Sequence, residues 1–233
     1  MAARPRLTES TKPTPSLLAQ LNTASQLGET TSRRVSRTRV ALLEAAQRLF
    51  SKRSIDSVSI DDITKEAEVA KGSLYNHFDS KEALAGELLG MIRGHVTGLL
   101  DRSVDDMTPP PERLARGAFV ILRFAVDHPE SVAALLKLSP VLLENNTTLN
   151  KAREIITEGL GSGHFKGIPA DSATLLMVGA MFVMLQDSID RQKSFKRLIP
   201  RIIPLMGGVL KALGVDSEQA AALTKAAARA TLE

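Results

Sequence analysis

The chain has 233 residues, enough for one large or two modest cores, and its 43% hydrophobic and 24% charged content is an ordinary globular balance that excludes disorder as the main state. Aromatic residues are only 3% and tryptophan is absent while alanine and leucine abound, so the predicted fold class is all-α. With no cysteine, disulfides, thiolate metal sites and cysteine nucleophiles are excluded together, which fits a reducing, cytoplasmic setting, and the net charge of +4 permits a polyanionic partner without establishing one.

Residues 1–33 mix Pro5, Pro13 and Pro15 with Ser, Thr and Gln and are predicted to form an extended arm, with one helical turn at Leu17, Leu18 and Leu21. Arg33, Arg34, Arg37 and Arg39 crowd immediately before the first strong helix, as either a solvated helix start or a phosphate-facing cluster. In that helix Leu42, Ala45, Ala46, Leu49 and Phe50 fall on one stripe while Glu44, Gln47, Arg48 and Ser51 face away. Ser59 and Asp62 have capping-box spacing and start a second helix, which buries Ile60, Ile63 and Ala67. A tight turn at Val69 leads to a third helix that buries Leu74 and Phe78.

A long helix follows from Ser80 through Leu84, Leu88, Met91, His95 and Leu99 to about Arg102. Pro111 then opens a helix through Leu114, Phe119, Leu122 and Phe124 to Asp127, which Pro129 ends. Shorter helices are expected over 130–138 and 147–160, stopped at Gly161-Ser162-Gly163. Asp171 opens a helix whose stretch 175–185 is apolar on nearly every side and predicts burial over most of its circumference. The segment 195–213 carries Pro200 and Pro204, so either a kink or a helix starting at Pro200 is expected, and Asp216 caps an Ala-rich last helix. No charged-then-apolar leader opens the chain, and the apolar run 173–185 is too short for a bilayer and carries Thr174; no membrane partner is predicted.

Two short helices joined by a tight turn form a helix-turn-helix, and helix geometry says which side chains it offers. With Leu74 and Phe78 turned inward, Lys71 and Ser73 in the first turn and Asn76 one turn later point outward, toward base edges in a major groove. Lysine suits guanine acceptors and asparagine suits adenine. Gly72 removes a side chain where backbone approaches the duplex.

These residues resemble the TetR family of bacterial transcription regulators. The resemblance rests on Ala45, Ala46, Leu49 and Phe50, on Ile63, Ala67 and Val69, on Gly72, Leu74, Tyr75, His77 and Phe78, and on Ser80, Lys81 and Glu82, in order and spacing. Glu68 stands where the turn glycine is usual, Thr64 where a small alanine is usual, and Ser54-Ile55 replaces an expected glycine. The resemblance implies that Tyr75, His77 and Lys81 hold phosphates, as does the start of the second helix at Ser59, and that Arg34 and Arg37 reach the backbone or minor groove. For Tyr75 a half-buried packing ring, and for His77 an exposed capping role, are the plainer alternatives.

It further implies an arm over 1–33, a DNA-binding domain over 34–84, and a ligand-binding and dimerisation domain over 85–233. A homodimer would form through about 171–191 and 195–213 and face a palindromic operator, and a small-molecule effector would release it. Met91, His95, Phe119, Arg123, Met177 and Met181 are the candidate pocket residues, with ordinary core packing as the plainer alternative. An enzyme is disfavoured, because His77, His95, His128 and His164 lack paired metal-ligand spacing and the glycines at 161–163 belong to no phosphate loop. No catalytic residue, metal or cofactor is assigned. A helical dimer that binds another protein without DNA is the alternative function.

Overall fold

The computed structural model describes residues 30–105, 107–138, 147–191 and 194–232, and every regular element among them is a helix. Helix α1, Thr30–Phe50, begins earlier than expected, so Arg33, Arg34, Arg37 and Arg39 lie within it rather than before it. Nothing in TTSRRVSRTRV breaks a helix, since it holds neither proline nor glycine. Residues 30–33 of the expected arm thus belong to α1, and the rest of the arm with its leucine turn lies outside the described residues. Leu42, Ala45, Ala46 and Phe50 are buried as the stripe predicts, but Leu43 and Gln47 are buried too. The expectation that Gln47 faces away fails because α1 is gripped on several sides by the elements that follow, which widens its buried face.

A 3-10 turn, Ile55–Ser57, precedes α2, Ile60–Glu66, and α3, Lys71–Tyr75. Val58, Ile63, Leu74 and Phe78 join Phe50 in one small core. The connector helix α4, Lys81–Ser103, is capped by Ser80, whose Oγ accepts from the Ala83 N–H at 3.1 Å. Its buried stripe is Leu84, Ala85, Leu88, Ile92, Val96 and Leu100. Met91, His95 and Leu99, expected on that stripe, are only half-buried, because a near-four-residue spacing from Leu84 keeps the contact line on the other side of the helix.

Helix α5, Pro110–Asp127, tolerates its two leading prolines since the first helical N–H groups have no partner within the helix. His128 closes it, and Pro129 does not merely end it but opens α6, Pro129–Leu138. Then come α7, Thr147–Gly161, α8, Ala170–Arg191, α9, Phe195–Ala212, and α10, Ser217–Ala230. Helix α5 is the hub and packs against α4, α6, α7, α8, α9 and α10. The Asp216 carboxylate caps α10 by accepting from Glu218 and Gln219 N–H groups at 2.8 and 3.2 Å, and those bonds hold its carboxyl below the usual range. Pro200 and Pro204 sit inside a continuous α9 that starts at Phe195, at exposed positions.

Helix α8 departs from its expected role in two ways. At 22 residues it outruns the apolar core of its sequence, and over Ala170–Ile189 it is long and apolar enough to cross a membrane by length and composition. It also buries one side only: α5, α6, α7 and α9 cover that side, while Leu175, Leu176, Phe182 and Val183 remain exposed.

Candidate nucleic-acid interface

The helix-turn-helix owes its shape to local bonds that the sequence foreshadows. At the start of α2 the Ser59 Oγ accepts from the Asp62 N–H and the Asp62 carboxylate accepts from the Ser59 N–H, each at 3.0 Å, which is the capping box expected. These bonds, with help from Arg53, hold the Asp62 carboxyl below its usual range. The turn is made by Glu68, at φ 56° the single non-glycine residue with positive φ among those described. A left-handed residue with a Cβ costs roughly 1–2 kcal/mol. Thr64, in place of the usual alanine, is buried, and its hydroxyl donates to the Ile60 and Asp61 carbonyls at 3.1 and 3.3 Å.

On α3, Leu74 is fully buried while Lys71, Gly72, Tyr75 and Asn76 are exposed, with Ser73 and His77 half-buried. The polar residues expected at base edges therefore share the outer side of a short rod whose apolar residue points home. Tyr75, 53% exposed, has no buried packing role here. A Cβ placed on Gly72 would meet nothing within 4 Å, so no contact within the protein calls for glycine there. That leaves room for close approach by an external partner.

Four cations around the head are matched with acids. Lys71 Nζ lies 2.8 Å from Asp61 Oδ1, with both side chains largely in water, and the hydrogen bond and charge of Asp61 push the lysine above its usual pKa. Arg53 pairs with Asp62 at 3.3 Å, Arg48 with Glu66 at 2.7 Å, and Arg39 with Glu87 while its guanidinium stands 5.3 Å from the Phe78 ring centre. Arg37 is exposed on α1, and the side chain of Arg34 lies outside the described residues. Lys81 has a different placement from the phosphate contact expected of it. Its ammonium donates to the Ile55 and Val58 carbonyls at 2.8 and 3.0 Å and ties the start of α4 to the 3-10 turn.

The six residues expected around a small molecule divide. Met177 and Met181 line a cavity of about 460 Å³ between α4, α5, α6, α7 and α8. His95 and Arg123 line a smaller hollow of about 310 Å³ against α10. Phe119 is sealed in the core, and Met91 packs against it. Sequence reasoning missed the polar lining of the larger cavity, Arg93, Asp101, Arg113 and Lys151. Its signal was present: Arg113 shares a helical face with Gly117, Ile121 and Phe124, an arginine in an apolar register.

A family model described as bacterial regulatory proteins, tetR family, matches residues 42–88. The HTH-type transcriptional repressor KstR2 of Mycobacterium tuberculosis (strain ATCC 25618 / H37Rv) is 30% identical over 146 residues, 57% of this chain and 71% of KstR2. The HTH-type transcriptional repressor DhaR of Mycobacterium sp. (strain GP1) is 34% identical over 86 residues, 37% of this chain and 43% of DhaR. The same fold occurs in the solved structure of the TetR family protein CprB from S. coelicolor A3(2), at a TM-score of 0.65 and 22% identity over 86% of this chain and 99% of that one.

Proposed function

Since the chain belongs to the TetR family and is a DNA-binding transcription regulator, we propose that it is a homodimeric repressor that sits on a palindromic operator and leaves it when a small molecule enters the larger cavity. The observation that carries this is the outer side of α3, where Lys71, Gly72, Ser73, Tyr75 and Asn76 lie together with Leu74 locked beneath them. Lys71 and Asn76 read base edges, while Tyr75, His77 and the start of α2 near Ser59 hold phosphates. The Ser59 N–H donates and its Oγ accepts in the capping box, which fixes the helix start and leaves the hydroxyl proton to donate to a phosphate. Lys81 serves by fixing the turn, and Arg34 and Arg37 on α1 reach the flanking backbone.

In this reading the DNA head runs from the start of α1 at Thr30 to residue 84, residues 85–233 are the ligand and dimer domain, and the residues before α1 an arm. One head buries too little and reads too few base pairs for specific binding, which calls for two heads on a two-fold axis. The dimer face is the uncovered side of α8 with α9. Leu175, Leu176, Phe182 and Val183, at seven-residue spacing on α8, are exposed, as is Leu205 on α9. A second copy, rather than a bilayer, covers it, and the protein works in the cytoplasm without catalysis. That the relatives are named transcriptional repressors supports the sign of control.

Selection of bound duplexes from a random pool is expected to yield a palindromic consensus, and light scattering at micromolar concentration a dimer. A pool without enrichment would favour a protein-binding role, and a monomer carrying the consensus activity would remove the dimer.

A further inference from the structure

The larger cavity is walled by residues of two chemical kinds. Most are apolar, among them Leu100, Ile121, Phe124, Met177, Met181 and Phe182. The rest, apart from Gly117, are charged: Arg93, Arg113 and Lys151 with Asp101 and Glu154. Among the described residues no hydroxyl, carboxamide or imidazole side chain reaches the lining. A site that orients a polar molecule holds a few neutral donors and acceptors for it, and this wall offers none from its side chains.

The charges on the wall are matched within the protein. Arg113 Nη1 donates to Glu158 Oε2 at 2.6 Å, and Arg113 has a second interaction besides that bond. Lys151 is paired with Asp101, Arg93 is also partnered within the chain, and Glu154 is exposed to water. With Glu158 counted, three cations stand against three acids, so the wall carries no net charge. An ion that enters sheds its water and must break into a pair that already exists, whereas a hydrocarbon gains by leaving water. The cavity of about 460 Å³ is of a size that encloses a small molecule, and the unbranched thioethers of Met177 and Met181 adapt to its shape.

We propose that this cavity takes an uncharged, largely hydrocarbon molecule and excludes ions of either sign. The proposal rests on the small-molecule reading of the cavity given above and names the class of molecule. Apolar burial supplies the affinity, and the self-neutralised wall supplies the discrimination by charge.

Isothermal titration of the full chain with decan-1-ol, decanoate and decyltrimethylammonium, all below their micellar ranges, tests it. Decan-1-ol is expected to bind at least about tenfold more tightly than either ion, since each ion must be desolvated without a free partner. Met181→Trp, which fills the chamber from α8, is expected to abolish decan-1-ol binding. Should that variant fail to fold, Ala152→Phe fills it from α7, where the side chain is only half-buried. Asp101→Asn leaves the wall with one cation in excess and is expected to raise decanoate affinity several-fold with decan-1-ol unchanged. An ion that binds as tightly as decan-1-ol, or decanoate affinity unmoved by Asp101→Asn, would overturn the neutral class while the cavity stays a ligand site. No binding by any of the three, or decan-1-ol binding undiminished in a folded cavity-filling variant, overturns the small-molecule reading of this cavity as well.

Discussion

Lys81 separates two roles that a DNA-binding head can assign to a lysine, and its replacement by methionine tells them apart. The methionine keeps an unbranched apolar stem and removes only the ammonium, which donates at 2.8 and 3.0 Å to the Ile55 and Val58 carbonyls. Val58 is fully buried, and the Ile55 carbonyl already receives the Val58 N–H at 3.2 Å, so these acceptors define the turn that leads into α2. A hydrogen bond to a charged group contributes roughly 1.5–3 kcal/mol. Here one half-buried charge serves both bonds, and water can replace part of each, so the pair together is worth about 2–3 kcal/mol. Urea unfolding checks this with a local probe, because Tyr75 is the single tyrosine and no tryptophan competes with its fluorescence. The Tyr75 transition is expected to move to lower urea, with an unfolding free energy smaller by that amount. Where both proteins are folded, the salt dependence of duplex binding is expected to remain as in the parent, since no phosphate contact has been lost. Unchanged urea stability combined with a salt slope smaller by about 0.9 per protomer would refute the structural role and make Lys81 a phosphate ligand.

Asp61→Asn removes the partner of Lys71 and a negative charge beside the groove, so affinity for duplexes of unrelated sequence is expected to rise several-fold at low salt, with a steeper salt slope, as read by fluorescence anisotropy. Unchanged non-specific affinity would mean that Asp61 does not restrain the head. Glu68→Gly relieves the left-handed strain at the turn but frees the unfolded chain, for a net gain of about 0.5–1 kcal/mol in denaturant unfolding. His95 and His128, whose rings stand 6.2 Å apart edge-on and both pack on Phe124, are both pushed below the usual imidazole range by burial, His95 also by the charges of His128 and Arg102. A depressed folded-state pKa means that their contribution is complete above about pH 6.5, the unfolded value, and is lost as pH falls below it. Thermal unfolding between pH 7.5 and 5.5 should therefore show falling stability, with a shallower decline in His95→Asn/His128→Asn; equal slopes would exclude this pair as the cause.

The head was legible because its signals are local. A capping box is read from Ser59 and Asp62 alone and an inward face from the spacing of Leu74 and Phe78, whereas the left-handed turn at Glu68 was legible only through the family resemblance, since nothing in a glutamate favours that conformation. The ligand domain was legible as a series of helices and far less as contacts. On α4 the amphipathic pattern is shallow, with four glycines at 86, 90, 94 and 98, so composition does not decide whether His95 or Val96 turns inward; the packing of α5, α6 and α7 does. On α8 an all-round apolar sequence predicts all-round burial, yet a single chain has helices for one side only, and the surplus becomes an exposed face. Gln47 and Arg113 mark the same limit, since a polar residue on a packed face is seen only when the neighbours on that face are known.

One rod joins the two proposed activities. Helix α4 is roughly 34 Å long at the usual rise, with Lys81 tying its first turn to the DNA head and Arg93 through Val104 walling the cavity at its other end. A ligand can move the head only if it binds one position of this rod better than another, because equal affinity for both shifts nothing. The lining allows such a difference: Val96 and Leu100 face the cavity directly, whereas Leu84 and Leu88 are fixed in the core nearer the head. In the proposed mechanism a body that fills the apolar middle would press on the distal half of α4, and the proximal half would transmit the tilt through the Lys81 bonds to the turn before α2. Lys81→Met therefore weakens more than stability. It loosens the joint, so that a ligand bound with parental affinity releases the operator less completely, and a variant that releases DNA as fully as the parent would show that the coupling takes another path.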